Sequence, residues 1–424
     1  MRPNLPFLPV YFRSLLAAVL TLGLSLTRQA PLAKRIHLRP LTRVLLLWST
    51  LVSPASGAVP GSQTIPDLNL GETELFGAHT PMGRLSYQAG RGLRIGDTGL
   101  VLGGFAAAEA ELLEGGGGDG GLAEGESDDE SGADAAGEES KDGDRRGALE
   151  GLNLFVFFDP APFAHLFTEL EFGPLLELGS GAGARSNPEL DIDRLYLDFG
   201  TSDALSVRFG KFLTPVGRRN QISAEPLTWT TSEPLIVEEV FDESATGGML
   251  FGSVFPRGGA LSYSLYGQFL NPIDPDRDRR TAEHSAGTRL EWASLNGWTL
   301  GASYFASQVE ERVWNHLGGV DLLWQPSARV EVSAETVFGE GSGEEGSLWG
   351  VYVEGAMETV RTLYAVGRYE RFEPPGSASA IDLFDLGLAW VPAPYLRLKA
   401  DYLFGDQADD LAEPGLRVSL SILF

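Results

Sequence analysis

The residues with chemical potential in this chain are five histidines, 58 acids and 32 bases, with no cysteine among them. His165, Glu169 and Glu171 share one face of an alternating run, a spacing that could bring imidazole and carboxylates together for proton transfer. No nucleophile stands beside them, and no Gly-x-Ser-x-Gly elbow occurs, so the trio does not read as a catalytic site. His79, His165, His284 and His316 are not spaced as metal ligands. Asp274-Pro-Asp-Arg-Asp278 alternates its carboxylates but lacks the later glycine and bidentate glutamate of a calcium loop, and Arg277, Arg279 and Arg280 are at hand to pair with it. The glycine run Gly115–Gly121 is not followed by the Lys-Ser or Lys-Thr of a phosphate loop, and the acids around it would repel phosphate. The chain therefore reads as a non-enzyme with no cofactor and no metal. Its usable chemistry is fixed charge.

Composition narrows the class. With 424 residues, 53 glycines, 10% aromatic residues and a mean hydropathy of -0.04, the chain is neither disordered nor a bundle of membrane helices. The absence of cysteine suits an exported chain that crosses an oxidising compartment unfolded. A formal charge of -26 argues against nucleic acid as a partner. Residues 1 to 58 hold seven bases and no acid, which leaves 25 bases against 58 acids, or -33, for the remainder.

That basic front end contains two apolar runs, Leu15–Leu26 and Val44–Val52, neither long enough to span a bilayer as a helix. Lys34, Arg35, Arg39 and Arg43 precede the second run and Ser56-Gly57-Ala58 follows it, so residues 1–58 read as a signal peptide cleaved after Ala58, with a start codon assigned too early. Residues 59–91, with Pro60, Pro66 and Pro81 and no sustained period, read as a periplasmic lead-in. Between Glu111 and Asp144 stand 13 acids against Lys141, so 113–149 reads as a disordered acidic loop outside the cell.

From Gly92 onward the apolar pattern has period two in segments of about ten residues, the length of a tilted strand crossing hydrocarbon. The segments are 92–112, 150–158, 163–173, 190–200, 203–213, 244–256, 260–270, 282–294, 298–310, 314–325, 328–339, 346–359, 361–373, 380–392, 395–405 and 415–424, sixteen in all. Their connections alternate between tight turns, such as Asp159-Pro-Ala-Pro162 and Leu295-Asn-Gly297, and mostly longer polar ones, among them 174–189, 214–243 and 271–281. An even count with this alternation predicts an all-β, transmembrane antiparallel β-barrel over 92–424 with both termini in the periplasm. Phe163, Phe199, Phe255, Trp298, Trp324, Trp390, Tyr395 and Phe424 border the tight turns, while Phe212, Phe269, Trp314, Phe338, Trp349, Phe372 and Phe404 border the loops. Two such rows predict aromatic belts at the membrane interfaces.

Alternation also separates the faces. Leu396, Leu398, Ala400, Tyr402 and Phe404 form one face of their strand, and Arg397, Lys399 and Asp401 the other; Leu195, Leu197 and Phe199 likewise oppose Arg194, Tyr196 and Asp198. Mid-strand charge is costly against lipid, so the charged faces should line the interior. Arg208, Ser262, Ser264, Tyr266, Gln268, Arg289, Glu291 and Arg417 extend that lining.

The sequence Gly210-Lys-Phe-Leu-Thr-Pro-Val-Gly217, at the end of a strand, resembles the phosphate-selective porin O/P-like family of outer-membrane porins, and the likeness covers roughly 190–255. The following connection, 214–243, is too long and too apolar to float: Leu227, Trp229, Leu235 and Ile236 need burial, and Pro215, Pro226 and Pro234 stiffen its path. It is expected to fold inward as the third loop, as the resemblance also implies. Arg208, Arg218 and Arg219 would then meet Glu225, Glu233, Glu238 and Glu239 at a constriction, either selecting ions or tying the loop to the wall. Lys211 falls on the lipid-facing parity unless Gly210 marks a bulge. Relatives that prefer phosphate line their pores with many Arg and Lys, whereas here carboxylates surround the bases, so weak selectivity or a cation preference is expected.

The resulting expectation is an outer-membrane porin for small ions and hydrophilic solutes, in contact with lipid and lipopolysaccharide. Homotrimers are implied by the resemblance alone. A surface adhesin displaying 113–149 is the alternative. The last strand alternates Leu416, Val418, Leu420, Ile422 and Phe424 with wetter residues, and its terminal Phe424 resembles the signal read by barrel-assembly machinery.

Overall fold

The computed structural model describes residues 73–76, 85–113, 144–179, 183–185, 189–222, 224–273, 282–308, 314–340, 346–376, 379–406 and 413–424. The expected signal peptide, most of the expected acidic loop, His79 and the Asp274–Asp278 run fall outside the described residues. Three short strands come first: β1 (Thr73–Phe76), β2 (Leu85–Gln88) and β3 (Gly92–Ile95). The wall follows with β4 (Leu100–Leu113), β5 (Asp144–Ala161) and β6 (Ala164–Gly173), then a small hairpin, β7 (Leu176–Gly179) and β8 (Gly183–Arg185). It continues through β9 (Glu189–Ser202), β10 (Leu205–Leu213), β11 (Ser244–Val254), β12 (Gly259–Gln268), β13 (His284–Ser294) and β14 (Trp298–Gln308). The remaining strands are β15 (Trp314–Ser327), β16 (Val330–Glu340), β17 (Ser347–Val360), β18 (Leu363–Glu373), β19 (Ile381–Ala393), β20 (Leu396–Gly405) and β21 (Gly415–Leu423).

Sixteen of these strands, β4 to β6 and β9 to β21, pair antiparallel with their neighbours and close on themselves. At the seam Gly415 lies opposite Leu113 and Leu423 opposite Phe105. Beyond that pair, the Phe424 amide donates to the Gly104 carbonyl at 2.9 Å and the Gly104 amide donates back at 3.1 Å. Closure leaves no edge of unpaired amides, which a hydrocarbon layer would not tolerate. Gly104 must be glycine, because a Cβ there would sit 2.0 Å from the Asn153 carbonyl oxygen and 2.9 Å from the Phe424 ring.

The first expected strand, 92–112, is two strands. Gly96 and Gly99, at φ +51° and +76°, make a turn between β3 and β4. β21 ends before it can cover the start of β4, and β3 takes that edge by pairing Leu93 with Leu102 and Ile95 with Leu100. The connection 174–189, expected as loop, contains the β7–β8 hairpin, whose β7 extends the ladder on β5.

Alternation has the consequence the sequence demands. Phe209, Leu250, Leu265, Leu290, Leu300 and Val320 are exposed on the outer surface, too many large apolar side chains for contact with water. Phe163, Phe255 and Trp390 lie exposed at the turn end, and Phe269, Trp314 and Phe338 at the loop end. Phe212 and Phe372 depart from their expected place in a belt. Both are fully buried, because their parity points inward, into an apolar cluster beneath the third long connection. Pairing runs through Gly210 without a slip, so there is no bulge and Lys211 shares the outward parity of Phe209. Gly210, at φ +132°, lets β9 approach so closely that a Cβ would fall 2.1 Å from the Leu195 carbonyl oxygen.

Candidate functional site

The connection from β10 to β11 lies inside the barrel. It departs with Thr214, whose hydroxyl donates to the carbonyls of Asp242 (2.7 Å) and Glu243 (3.1 Å), and Asn220 clamps the same neck through the Thr214 carbonyl at 2.8 Å. The chain then crosses to the far wall. The Gly217 amide donates to Ser303 Oγ on β14 at 3.2 Å, and the amides of Arg218 and Arg219 both donate to Glu335 Oε1 on β16, at 3.0 and 2.6 Å. Successive amides converging on one carboxylate make an anion cradle, here filled by the protein's own glutamate. Tyr352 adds a third donor at 2.9 Å.

The lowest part of the loop, 225–232, is held by charge. Lys399 Nζ has no exposed surface; it lies 2.6 Å from Glu225 Oε1 and donates to Thr228 Oγ1 (3.0 Å) and the Thr230 carbonyl (2.9 Å). Arg397 donates to the Thr228 carbonyl at 2.5 Å and lies 4.6 Å from the Trp229 ring centre, while Trp229 Nε1 donates to Glu331 Oε1 at 2.8 Å. Arg368 donates to Thr230 Oγ1 and to the carbonyl and hydroxyl of Ser232, at 2.6–2.7 Å, and lies 3.3 Å from Glu370 and 3.6 Å from Asp385. Asp401 accepts from the Thr231 amide and hydroxyl, at 3.0 and 2.7 Å.

The return limb is apolar. Pro234 introduces a single helical turn, α1 (Leu235–Glu238), whose orphan first amide donates to Glu370 Oε2 at 2.8 Å. Leu235, Ile236, Val237 and Phe241 pack against inward side chains near the loop end, including Phe305, Leu317, Val337, Phe372 and Leu383. Leu227, expected to be buried, stays 52% exposed, since its neighbours Pro226 and Thr228 take the buried positions.

The opposite wall, β9 to β13, remains accessible. Between it and the loop lies a cavity of about 290 Å³ bounded by Arg194, Tyr196, Arg208, Phe251, Arg289 and Glu291 on the wall and by Pro215 and Gln221 on the loop. Each arginine there has a carboxylate of its own. Arg194 pairs with Glu169. Arg208 grips Asp198 with two bonds of 2.7 and 2.8 Å and lies 3.6 Å from the Tyr196 ring centre. Arg289 is bidentate to Asp321, at 2.5 and 2.9 Å, and reaches Glu291 at 2.9 Å.

The residues singled out in the sequence thus fall in three places. Arg194, Arg208 and Arg289 lie together on the accessible wall. Arg219, Glu225, Arg397 and Lys399 lie between loop and far wall, with Arg219 Nη2 3.9 Å from Glu233; Arg218 is fixed through its amide. Arg417 is at the seam, 3.1 Å from Glu111 and donating to the Glu413 carbonyl at 2.9 Å. Arg208 meets Asp198 rather than the loop acids. His165 turns to Asp159, at 2.7 Å, while Glu169 takes Arg194, so the His165–Glu169 cluster that the spacing would have allowed does not assemble. Among the described residues no metal-binding cluster is found. Sequence reasoning missed Glu335, Arg368, Glu370, Asp385 and Asp401 as loop anchors. The inward parity of Val366, Arg368, Glu370 and Phe372 was the available signal.

A closed sixteen-strand barrel with an inward third loop is the porin architecture. No family profile matches the chain. Its sequence is 24% identical over 321 residues to an uncharacterized protein of Aquifex aeolicus, covering 62% of this chain and 73% of that protein. Among solved structures it is similar to Salmonella typhi OmpF in complex with daunomycin (TM-score 0.51, 11% identity, 78% of this chain and 99% of that one). It is similar also to an anion-selective porin from Comamonas acidovorans (0.51, 12%, 77% and 99%) and to Vibrio cholerae OmpT (0.50, 11%, 77% and 97%). At these identities the likeness concerns the fold.

Proposed function

We propose that the protein is an outer-membrane porin, a passive channel for small ions and hydrophilic solutes with weak selectivity. The observation that carries this reading is the asymmetry of the interior. The loop seals itself to one wall through buried charge and leaves a polar, accessible wall facing it. A protein that only needed a rigid barrel could fill the interior from both sides.

Weak selectivity follows from the pairing. Arg194, Arg208 and Arg289 would attract anions if unpaired, but each is held by one or two carboxylates, and the acid-rich balance of the chain favours cations slightly. Phosphate selectivity, which the Gly210–Gly217 resemblance suggests, is not part of this proposal. The same reading places both termini in the periplasm, the outer surface against lipid and lipopolysaccharide, and Phe424 as the assembly signal; trimerisation rests on the family likeness. Purified protein in planar bilayers should give stepwise conductance, with a reversal potential in a KCl gradient near zero or slightly cation-selective. Heat-modifiable gel migration confirms that the sample is a folded barrel. Folded barrels that do not conduct, or a clear anion preference, would overturn the reading or its selectivity.

A further inference from the structure

Neighbouring wall strands follow one another along the chain except at the seam, where β4, the first, meets β21, the last. Everywhere else a covalent connection keeps two neighbours close when the hydrogen bonds between them break. At the seam the connection is the whole barrel, and the entropic cost of bringing two strands back together grows with the length of chain between them. A barrel that opens locally therefore opens most readily there.

The segment that precedes the wall lies across this seam. Phe424 exchanges two hydrogen bonds with Gly104, and the next residues of that edge, Leu102, Val101 and Leu100, are taken by Leu93, Arg94 and Ile95 of β3. β21 and β3 thus share one edge of β4, end to end. Gly103 lies beneath the join, since a Cβ there would be 3.2 Å from the Phe424 carbonyl oxygen and 3.7 Å from Gly92 Cα. Beyond the join, a Cβ on Gly90 in the β2–β3 turn would stand 3.0 Å from Tyr395 Cβ, and the Tyr395 carbonyl accepts from the Leu423 amide at 2.8 Å. At the other end of the segment, the Gly99 carbonyl in the β3–β4 turn accepts from the Asp159 amide at 3.0 Å. Residues 90–99 therefore run from the β19–β20 turn to the end of β5, with β21 and β4 between. Gly90 and Gly92 hold φ of +74° and +87°, and a Cβ on Gly92 would fall 2.2 Å from the Leu102 carbonyl oxygen. A solvated linker needs no such fit; a course that only glycine follows readily is kept where its surroundings fix it.

We propose that residues 85–99 are a clasp that locks the seam, so that β4 and β21 part only when it releases. The device governs the lifetime of the folded barrel and is independent of conduction, so the loss of either reading leaves the other intact. Gly92→Val drives β3 against Leu102 and leaves every wall strand unchanged. In barrels extracted from outer membranes it should raise the unfolding rate in denaturant, followed by heat-modifiable migration, at least about fivefold. Excising 85–97 should raise it as far or further; if the excised chain does not assemble, Gly92→Val alone decides. The decisive comparison adds Ala110→Cys and Val418→Cys, which face each other across the seam in a chain with no other cysteine. With that disulfide formed the seam cannot part, and Gly92→Val should make no difference to the unfolding rate; on reduction its effect should return. An unfolding rate indifferent to Gly92→Val in the reduced chain would overturn the clasp. So would an acceleration that persists with the seam cross-linked, because the segment would then stabilise the barrel elsewhere than at the seam.

Discussion

On β16 to β20 the inward charges meet the loop, and on β9 to β13 they meet the cavity. Both walls are built from arginine or lysine paired with carboxylates, and their most accessible members differ in exposure. Lys399 and the Arg368, Glu370 and Asp385 side chains are 0–3% exposed and Arg208, Asp198 and Glu291 are 16–27% exposed, although on the cavity side Arg289 and Asp321 are themselves buried, at 5% and 1%. Buried, such pairs must satisfy nearly every donor, and the loop supplies backbone carbonyls and hydroxyls to do so. In contact with water the same chemistry contributes little to stability and sets the local field instead. The difference teaches that a charged residue inside a barrel is not thereby a pore residue; what matters is whether a segment of chain lies over it.

The most damaging test of this division is Arg368→Met. It would strand Glu370 and Asp385 beneath the loop, and breaking a buried pair typically costs about 3–5 kcal/mol. The unfolding temperature read from heat-modifiable migration should fall sharply, and single-channel current should become noisy and larger as 225–241 detaches. Replacing Glu370 and Asp385 with methionine and leucine in the same chain should recover part of the stability, since the two carboxylates nearest the lost arginine go with it, although the Leu235 amide and the Ser232 hydroxyl then lose their acceptors. A variant with unchanged stability and quiet current would mean that the apolar limb alone holds the loop.

A smaller effect, on yield rather than on the pore, is expected at the seam, which belongs to neither wall. Deleting Phe424 removes two closure bonds to Gly104 and the terminal aromatic. The folded yield in the outer membrane should drop, while the barrels that do form should keep their conductance and reversal potential. Normal insertion of the truncated chain would count against Phe424 as an assembly signal.

Why the strands were legible and the anchors were not follows from the range of the forces involved. Period-two alternation and tight turns are local, so β13 was expected at 282–294 and found at His284–Ser294, and β21 expected at 415–424 and found at Gly415–Leu423. The inward course of 214–243 was also legible, because Leu235 and Ile236 needed burial and are buried. Where the loop comes to rest is set by contacts over 100 residues away in sequence, such as Arg219 with Glu335 and Thr230 with Arg368. No spacing encodes these. The β3–β4 turn was missed for a different reason: Leu93 with Ile95 and Leu100 with Leu102 each alternate, and the change of phase between the two pairs, across Gly96 and Gly99, is easily lost within one apolar run.

The finest discrimination is electrostatic. Asp198→Asn leaves Arg208 uncompensated on the accessible wall and should move the reversal potential toward anions; Arg208→Gln leaves Asp198 and should move it toward cations by a similar amount. Both shifts should grow as salt is lowered from 1 M to 0.1 M, where the screening length rises from about 3 to about 10 Å. Neither change should alter stability by more than about 1 kcal/mol, because the pair is partly solvated. Asp385→Asn is the matched control on the other wall. It removes the same charge, but from a side chain with no exposed surface beside Arg368, so its effect should be on unfolding temperature and hardly on reversal potential. Should Asp385→Asn shift selectivity as far as Asp198→Asn does, ions pass close to both walls, and the division drawn between a sealed and an accessible side would have to be abandoned.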